Sequence, residues 1–260
     1  MFKHLTLVFL FFYVLNVRAQ MQAPELDKNA IRNTGLIGLS YGRHIPLGDM
    51  GKRFGGSNTL GLYGAYKFGK NWIVSGNVAT HFSSSVKENG LLDSLTGTYG
   101  ELIDVNGNFA EVRLYQRGYL WHVDFGKLFP TSNLNLNSGI MFTVGGGMME
   151  HKIRMYFQRN VLPQLEGDYT KGYDRLSNGF LVRSFLGYQR IDPEQSLNFF
   201  AGIEYIHGFT KNRRAINFDT RMSETRLRND ILLGIKLGIM ISIQGKAAGL
   251  KKEDEDKFFE

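Results

Sequence analysis

Six histidines are the side chains of this 260-residue sequence that most readily suggest catalysis, because imidazole exchanges protons near neutral pH and ligates metals. Four of them, His44, His81, His151 and His207, sit towards one end of apolar segments, where they could serve as acids or bases on the rim of a fold. Such chemistry needs partners at fixed spacing. The sequence has no nucleophile elbow, no HExxH and no GxGxxG between a strand and a helix. "DVNGN" (104–108) lacks the spacing and terminal Glu of a calcium loop, and the glycines of "VGGGMM" are read as ending a strand with a tight bend. With no cysteine there is no disulfide and no thiolate chemistry. The expectation is a protein without catalytic residues, metal or cofactor.

A second group raises an electrostatic question. Lys236 stands inside "ILLGIKLGIMISI" (231–243), the most apolar run after the N-terminus. In a membrane helix it would cost about 2.5 to 3.5 kcal/mol. In a strand, period two sends Lys236 to one face and Leu233, Ile235, Leu237, Ile239, Ile241 and Ile243 to the other. Similar alternation recurs from residue 34 onward, giving strand candidates at 34–45, 59–68, 72–82, 112–125, 134–147, 179–190, 196–208 and 227–243. Most reach the roughly 9 to 11 residues that a tilted strand needs to cross a bilayer.

The connections sort into two kinds. Short turns follow the second, fourth and sixth strands, and longer segments follow the first, third, fifth and seventh, two of them near thirty residues. An outer-membrane barrel has this asymmetry, with short periplasmic turns, long extracellular loops and an even strand count. Before the strands, residues 1–19 have a basic start, an apolar run and Val17-Arg18-Ala19, the pattern of a cleaved signal peptide. Its loss would remove Lys3 and Arg18 and take the formal charge from +7 to +5, too modest an excess to suggest a nucleic-acid partner. The expected organisation is a signal peptide (1–19), a periplasmic segment (20–33), an all-β, eight-stranded antiparallel transmembrane β-barrel (34–243) and a flexible periplasmic tail (244–260). A soluble lipocalin-like barrel would turn the same apolar faces inward around a ligand; the loop asymmetry and the leader favour the membrane.

In an eight-stranded barrel side chains fill the interior, so no channel is expected. Strand parity sends Lys67, Asn77, His122, Asp124, Arg183, Glu204 and Lys236 into that lumen. Charges taken out of water need partners, so a salt-bridge network is expected, with Lys236 and Glu204 as its central pair and neutralisation as its role. The outer segments read as recognition surfaces. The third (163–179) carries Tyr169, Tyr173 and Arg175; the fourth (209–230) carries Arg213, Arg214 and Arg221 and has six cations against three carboxylates. Arginine forks suit phosphates and carboxylates, and Tyr and Arg are favoured interface residues. Partner proteins, outer-membrane lipid or lipopolysaccharide are the expected contacts.

Three stretches, the Ala19-Gln20 junction, "VGGGMMEHKIR" leading to "PQLEGDYTKGYDRLSNG", and "GIEYIHGFTKNRRAINFDTRM", resemble small outer-membrane β-barrel proteins of Bacteroidota. The resemblance implies an integral subunit of a large envelope machine, such as the barrel-assembly machinery or the type IX secretion and gliding apparatus. Function is therefore expected to be non-enzymatic scaffolding through the outer loops. The alternatives are a rim enzyme acting on lipid or peptide through His81, His151 or His207, and a surface adhesin.

Overall fold

Alternating sequences with one uniformly aliphatic face can bury that face only in lipid or against another layer, and here they close on themselves. The computed structural model describes residues 31–97, 100–157, 162–192 and 197–243; the expected leader, the tail and nearly all of the segment between leader and barrel lie outside the described residues. Eight long strands form a closed antiparallel barrel: β1 (Thr34–Leu47), β2 (Ser57–Phe68), β3 (Trp72–Ser83), β6 (Val112–Pro130), β7 (Gly139–Phe157), β8 (Ser177–Arg190), β9 (Leu197–Asn212) and β10 (Arg228–Ile243). A two-stranded hairpin, β4 (Leu102–Ile103) with β5 (Phe109–Ala110), decorates the connection from β3 to β6. The ring closes where β1 pairs with β10, from Gly35 opposite Ile243 to Leu47 opposite Ile231.

The outward face is apolar. Leu233, Ile235, Leu237, Ile239, Ile241 and Ile243 are all exposed, and so are Ile37, Leu39, Leu60, Leu62, Val78, Val123 and Ile203 on neighbouring strands. At about 3.4 Å per residue and a tilt of about 40°, the stretch from Leu233 to Ile243 rises about 25 Å, the height of the apolar band of a transmembrane barrel. Rings mark its lower margin, with Trp72 stacked on Phe125 at 5.0 Å and Lys127 held 5.2 Å above the Trp72 ring. Arg43 is an outward cation within this face; its guanidinium is drawn aside to Asn58, 3.1 Å away.

Both barrel ends obey the loop asymmetry. Short connections (69–71, 131–138 and 191–196) share an end with Thr34 and Ile243, and the longer ones (48–56, 84–111, 158–176 and 213–227) lie at the other. The largest departures from the expected strand boundaries are in the fourth and fifth barrel strands. The fifth barrel strand begins at Gly139, not 134, and runs to Phe157, so "VGGGMM" lies in mid-strand and ends nothing. Residues 134–138 form the preceding turn, where Asn135 Oδ1 accepts the Asn137 amide. The fourth strand continues to Pro130, and it and β7 are each 19 residues long, enough to rise beyond the bilayer as a paired ribbon.

Candidate functional site

Strand parity delivers the inward charges to one level of the lumen. His122 and Asp124 come from β6, Arg183 from β8, Glu204 from β9, Lys236 from β10 and His44 from β1, all nearly inaccessible to solvent. Lys236 Nζ donates to Glu204 Oε1 at 2.9 Å, and Arg183 Nε donates to the same oxygen at 2.5 Å. Arg183 also reaches Asp124 Oδ2 at 2.9 Å, and that carboxylate accepts from His122 Nδ1 at 2.8 Å. His44 Nε2 stands 2.7 Å from the second Glu204 oxygen. Two carboxylates thus offset two permanent cations. Gly145 permits this packing, since a Cβ there would fall 2.4 Å from the Asp124 carboxylate. Asn77 Oδ1 also accepts from Lys236 Nζ at 3.4 Å, so six of the seven expected lumen residues form one network. Lys67 is separate: at the short-turn end its ammonium donates to three neutral oxygens, those of Arg32, Asn71 and Asn137.

Apolar side chains seal the network on both sides. Below it pack Leu36, Tyr63, Ile73, Phe185, Phe200 and Met240. Above it, Leu120, Met149, Leu181, Ile206 and Leu232 meet Met50 and Phe54. These last two arrive on an unexpected element, α1 (Gly48–Arg53), a single helical turn that folds from the end of β1 into the barrel mouth. Gly48 makes the reversal with φ of +62°, where any Cβ would fall 2.4 Å from the Asn229 carbonyl oxygen.

Around α1 the outer connections are tied together by ion pairs. Arg53 contacts Glu88 at 3.1 Å and Glu224 at 3.3 Å; Arg175 pairs with Glu88 and Asp219; Arg214 binds Asp174 through two nitrogens. Each pair joins two different connections, so all four form one cap. Arg228 links it to the barrel by bonding Glu224, Asp230 and the Asp49 carbonyl. Burial opposes ionisation of the Asp49 carboxyl, but the Asn229 amide, Arg226 and Lys52 outweigh it and hold the group down at about 2.

This placement changes the expected contact surface. Tyr173 is buried with its ring edge-on to Phe218, Arg175 is buried in the cap, and Arg214 is committed to Asp174. These three side chains hold the cap together and are not presented to a partner. Tyr169, Arg213 and Arg221 do reach the surface, although Arg213 bonds Asn178. Likewise His44, His81 and His151 do not line an outer rim. All three are fully buried, His81 against Gln116 and His151 on Asp230 at 2.9 Å, whereas His207 alone of the four faces outward, stacked on Phe209. Parity predicts this: His44 continues the inward series of Ser40 and Gly42, and His151 that of Met149. Among the described residues, no three His, Asp or Glu side chains converge as a metal site.

The fold is similar to those of small outer-membrane proteins. Ail, the attachment invasion locus protein of Yersinia pestis, aligns over 82% of this chain and 100% of its own, with 10% identity and a TM-score of 0.42. OprG from Pseudomonas aeruginosa aligns over 84% and 99%, with 14% identity and a TM-score of 0.40. Neisserial surface protein A aligns over 80% and 97%, with 8% identity and a TM-score of 0.40. No protein-family profile and no curated sequence matches the chain. The closed ring, its exposed aliphatic band and its unequal ends make the protein an eight-stranded barrel of a bacterial outer membrane.

Proposed function

We propose that the protein is a non-enzymatic subunit of a multiprotein outer-membrane complex of Bacteroidota, serving outer-membrane protein assembly or protein secretion by holding partners on its outer face. The carrying observation is the ion-paired cap: four connections are fastened to one another above a filled lumen, which suits a rigid platform better than a conduit. An exposed apolar hairpin projects from it, with Ile103, Val105 and Phe109 in water and Phe109 77% accessible. Exposed apolar clusters of this kind mark interaction sites. Tyr169, Arg213 and Arg221 supply polar anchors near the same outer end. The resemblance of "GIEYIHGFTKNRRAINFDTRM" and its companion stretches to accessory barrels of envelope machines supports the choice of process.

The test is extraction of the tagged protein from its native membrane in mild detergent. Stoichiometric large partners are expected, and a Phe109→Asp variant, still folded by gel mobility, should release them. Recovery of the wild-type barrel as a lone monomer would reject the scaffold.

A further inference from the structure

The outward face of the β6–β7 ribbon changes character partway along. On β7 it runs Ile140, Phe142, Val144 and Met148, then Glu150, Lys152 and Arg154; on β6 it runs Phe125, Val123, Trp121 and Tyr119, then Arg117. The switch occurs where Tyr119 pairs with Glu150, so the charges begin where the apolar band stops. Arg117 and Lys152 are direct cross-strand partners, and Arg154 is the next outward residue after Lys152. Like charges placed opposite each other on a sheet repel at about 5 Å. Among the described residues none of Arg117, Lys152 and Arg154 takes part in an ion pair; Arg117 donates to the Gln116 carbonyl at 2.7 Å and lies over the Tyr115 ring at 5.1 Å. A cleft of about 520 Å³ runs between the ribbon and the connection that follows β7, and all three cations line it. Three carboxylates also line the cleft: Glu150, 3.5 Å from Asn178; Asp174, which is bonded to Arg214; and Glu166, on the connection that follows β7.

We infer that Arg117, Lys152 and Arg154 form a binding site for a phosphorylated headgroup of outer-leaflet lipid. The repulsion calls for an anion, and guanidinium and ammonium groups together suit a phosphate's oxygens. Position selects the source. The site opens directly above the lipid-facing aliphatic and aromatic surface, so a phosphate there remains attached to acyl chains packed on Trp121, Val123 and Val144. The site depends on the bilayer placement of the barrel and is independent of the scaffold proposal.

The purified barrel in detergent would be mixed with bisphosphorylated lipid A, its dephosphorylated form, phosphatidylcholine or inorganic phosphate, and lipid retention read by native mass spectrometry. The triple variant Arg117→Gln, Lys152→Gln, Arg154→Gln is compared with a control triple of exposed cations outside the cleft, Lys70→Gln, Lys171→Gln, Lys211→Gln. Expected is selective retention of the bisphosphorylated lipid, weakened about 100-fold in the first triple, at about 1 kcal/mol per cation, and nearly unchanged in the control. Heat-modifiable gel mobility verifies that each variant is folded; should the triple not fold, single Arg154→Gln and Lys152→Gln variants carry the measurement. Equal retention by variant and wild type, equal retention of the dephosphorylated lipid or phosphatidylcholine, or equally tight binding of inorganic phosphate alone would each overturn the site.

Discussion

The barrel holds cations in two contrasting settings. In the lumen, Arg183 and Lys236 share Glu204 and Asp124 at hydrogen-bond distance. On the outer ribbon, Arg117, Lys152 and Arg154 share a face with one another and, among the described residues, none of them is in an ion pair. The first set cannot be solvated, and must therefore be neutralised by the chain itself. The second set borders water and headgroups, which can supply the missing charge from outside. Closure of the charge balance thus distinguishes residues that hold the fold from residues left open to a ligand. By the same criterion the cap belongs with the lumen, since Arg53, Arg175, Arg214 and Arg228 all have carboxylates within the chain.

The largest effect expected from breaking this contrast is that of Glu204→Leu. It strands Lys236 in the lumen and removes one of the two carboxylates of Arg183, and should cost about 3 to 5 kcal/mol. The folded band on unboiled gels should then convert at a visibly lower temperature; unchanged conversion would remove the network's structural role. Pairing that change with Lys236→Met should recover part of the loss, because Arg183 and Asp124 still balance. Coupling of about 1 to 3 kcal/mol in the double-mutant cycle is the expected reading, and strict additivity would refute it.

Asp49→Asn should cost less, about 1 to 2 kcal/mol, by loosening α1 from Asn229 and Arg226. Here the folded carboxyl lies below its unfolded value, so its contribution is complete above pH 3.8 and disappears as pH falls through about 2. Unfolding midpoints of wild type and variant should therefore converge over that interval, and a constant gap would separate Asp49 from the effect. Smallest of all, Lys152→Gln in lipid-free detergent should change stability by no more than about 0.5 kcal/mol, and in the stabilising direction, as a like-charge neighbour of Arg117 is removed. A loss comparable to that of Glu204→Leu would erase the distinction between the two settings.

Strand faces are legible in the sequence because lipid imposes one polarity on the whole outer surface between its two boundaries. Lys236, Glu204 and Arg183 could be assigned inward from period two alone. The end of β7 could not, because above the bilayer the same alternation reverses its meaning: Ile153 and Met155 point inward and Lys152 and Arg154 outward. A pattern of aliphatic residues facing lipid fades there into what resembles a loop. The cap was not legible for a different reason. Arg53 meets Glu224 across most of the chain, and "GDMGKR" is too short and glycine-rich to show a helical period. Lys67 stands between these cases: its inward direction follows from parity, but its neutral ring of oxygens depends on a turn and on the residues preceding β1.

The position of α1 has a consequence for how the ring is completed. Asp49 and Gly48 belong to the first connection of the chain, yet the amide of Asn229 and the backbone of Asp230, which they engage, begin the last strand. An N-terminal element therefore has nowhere to seat until the C-terminal strand has been added and the seam between β1 and β10 has formed. Seating of this turn acts as a latch thrown only by the finished circle, and a barrel lacking its final strand would leave Met50 and Phe54 without the wall they close against.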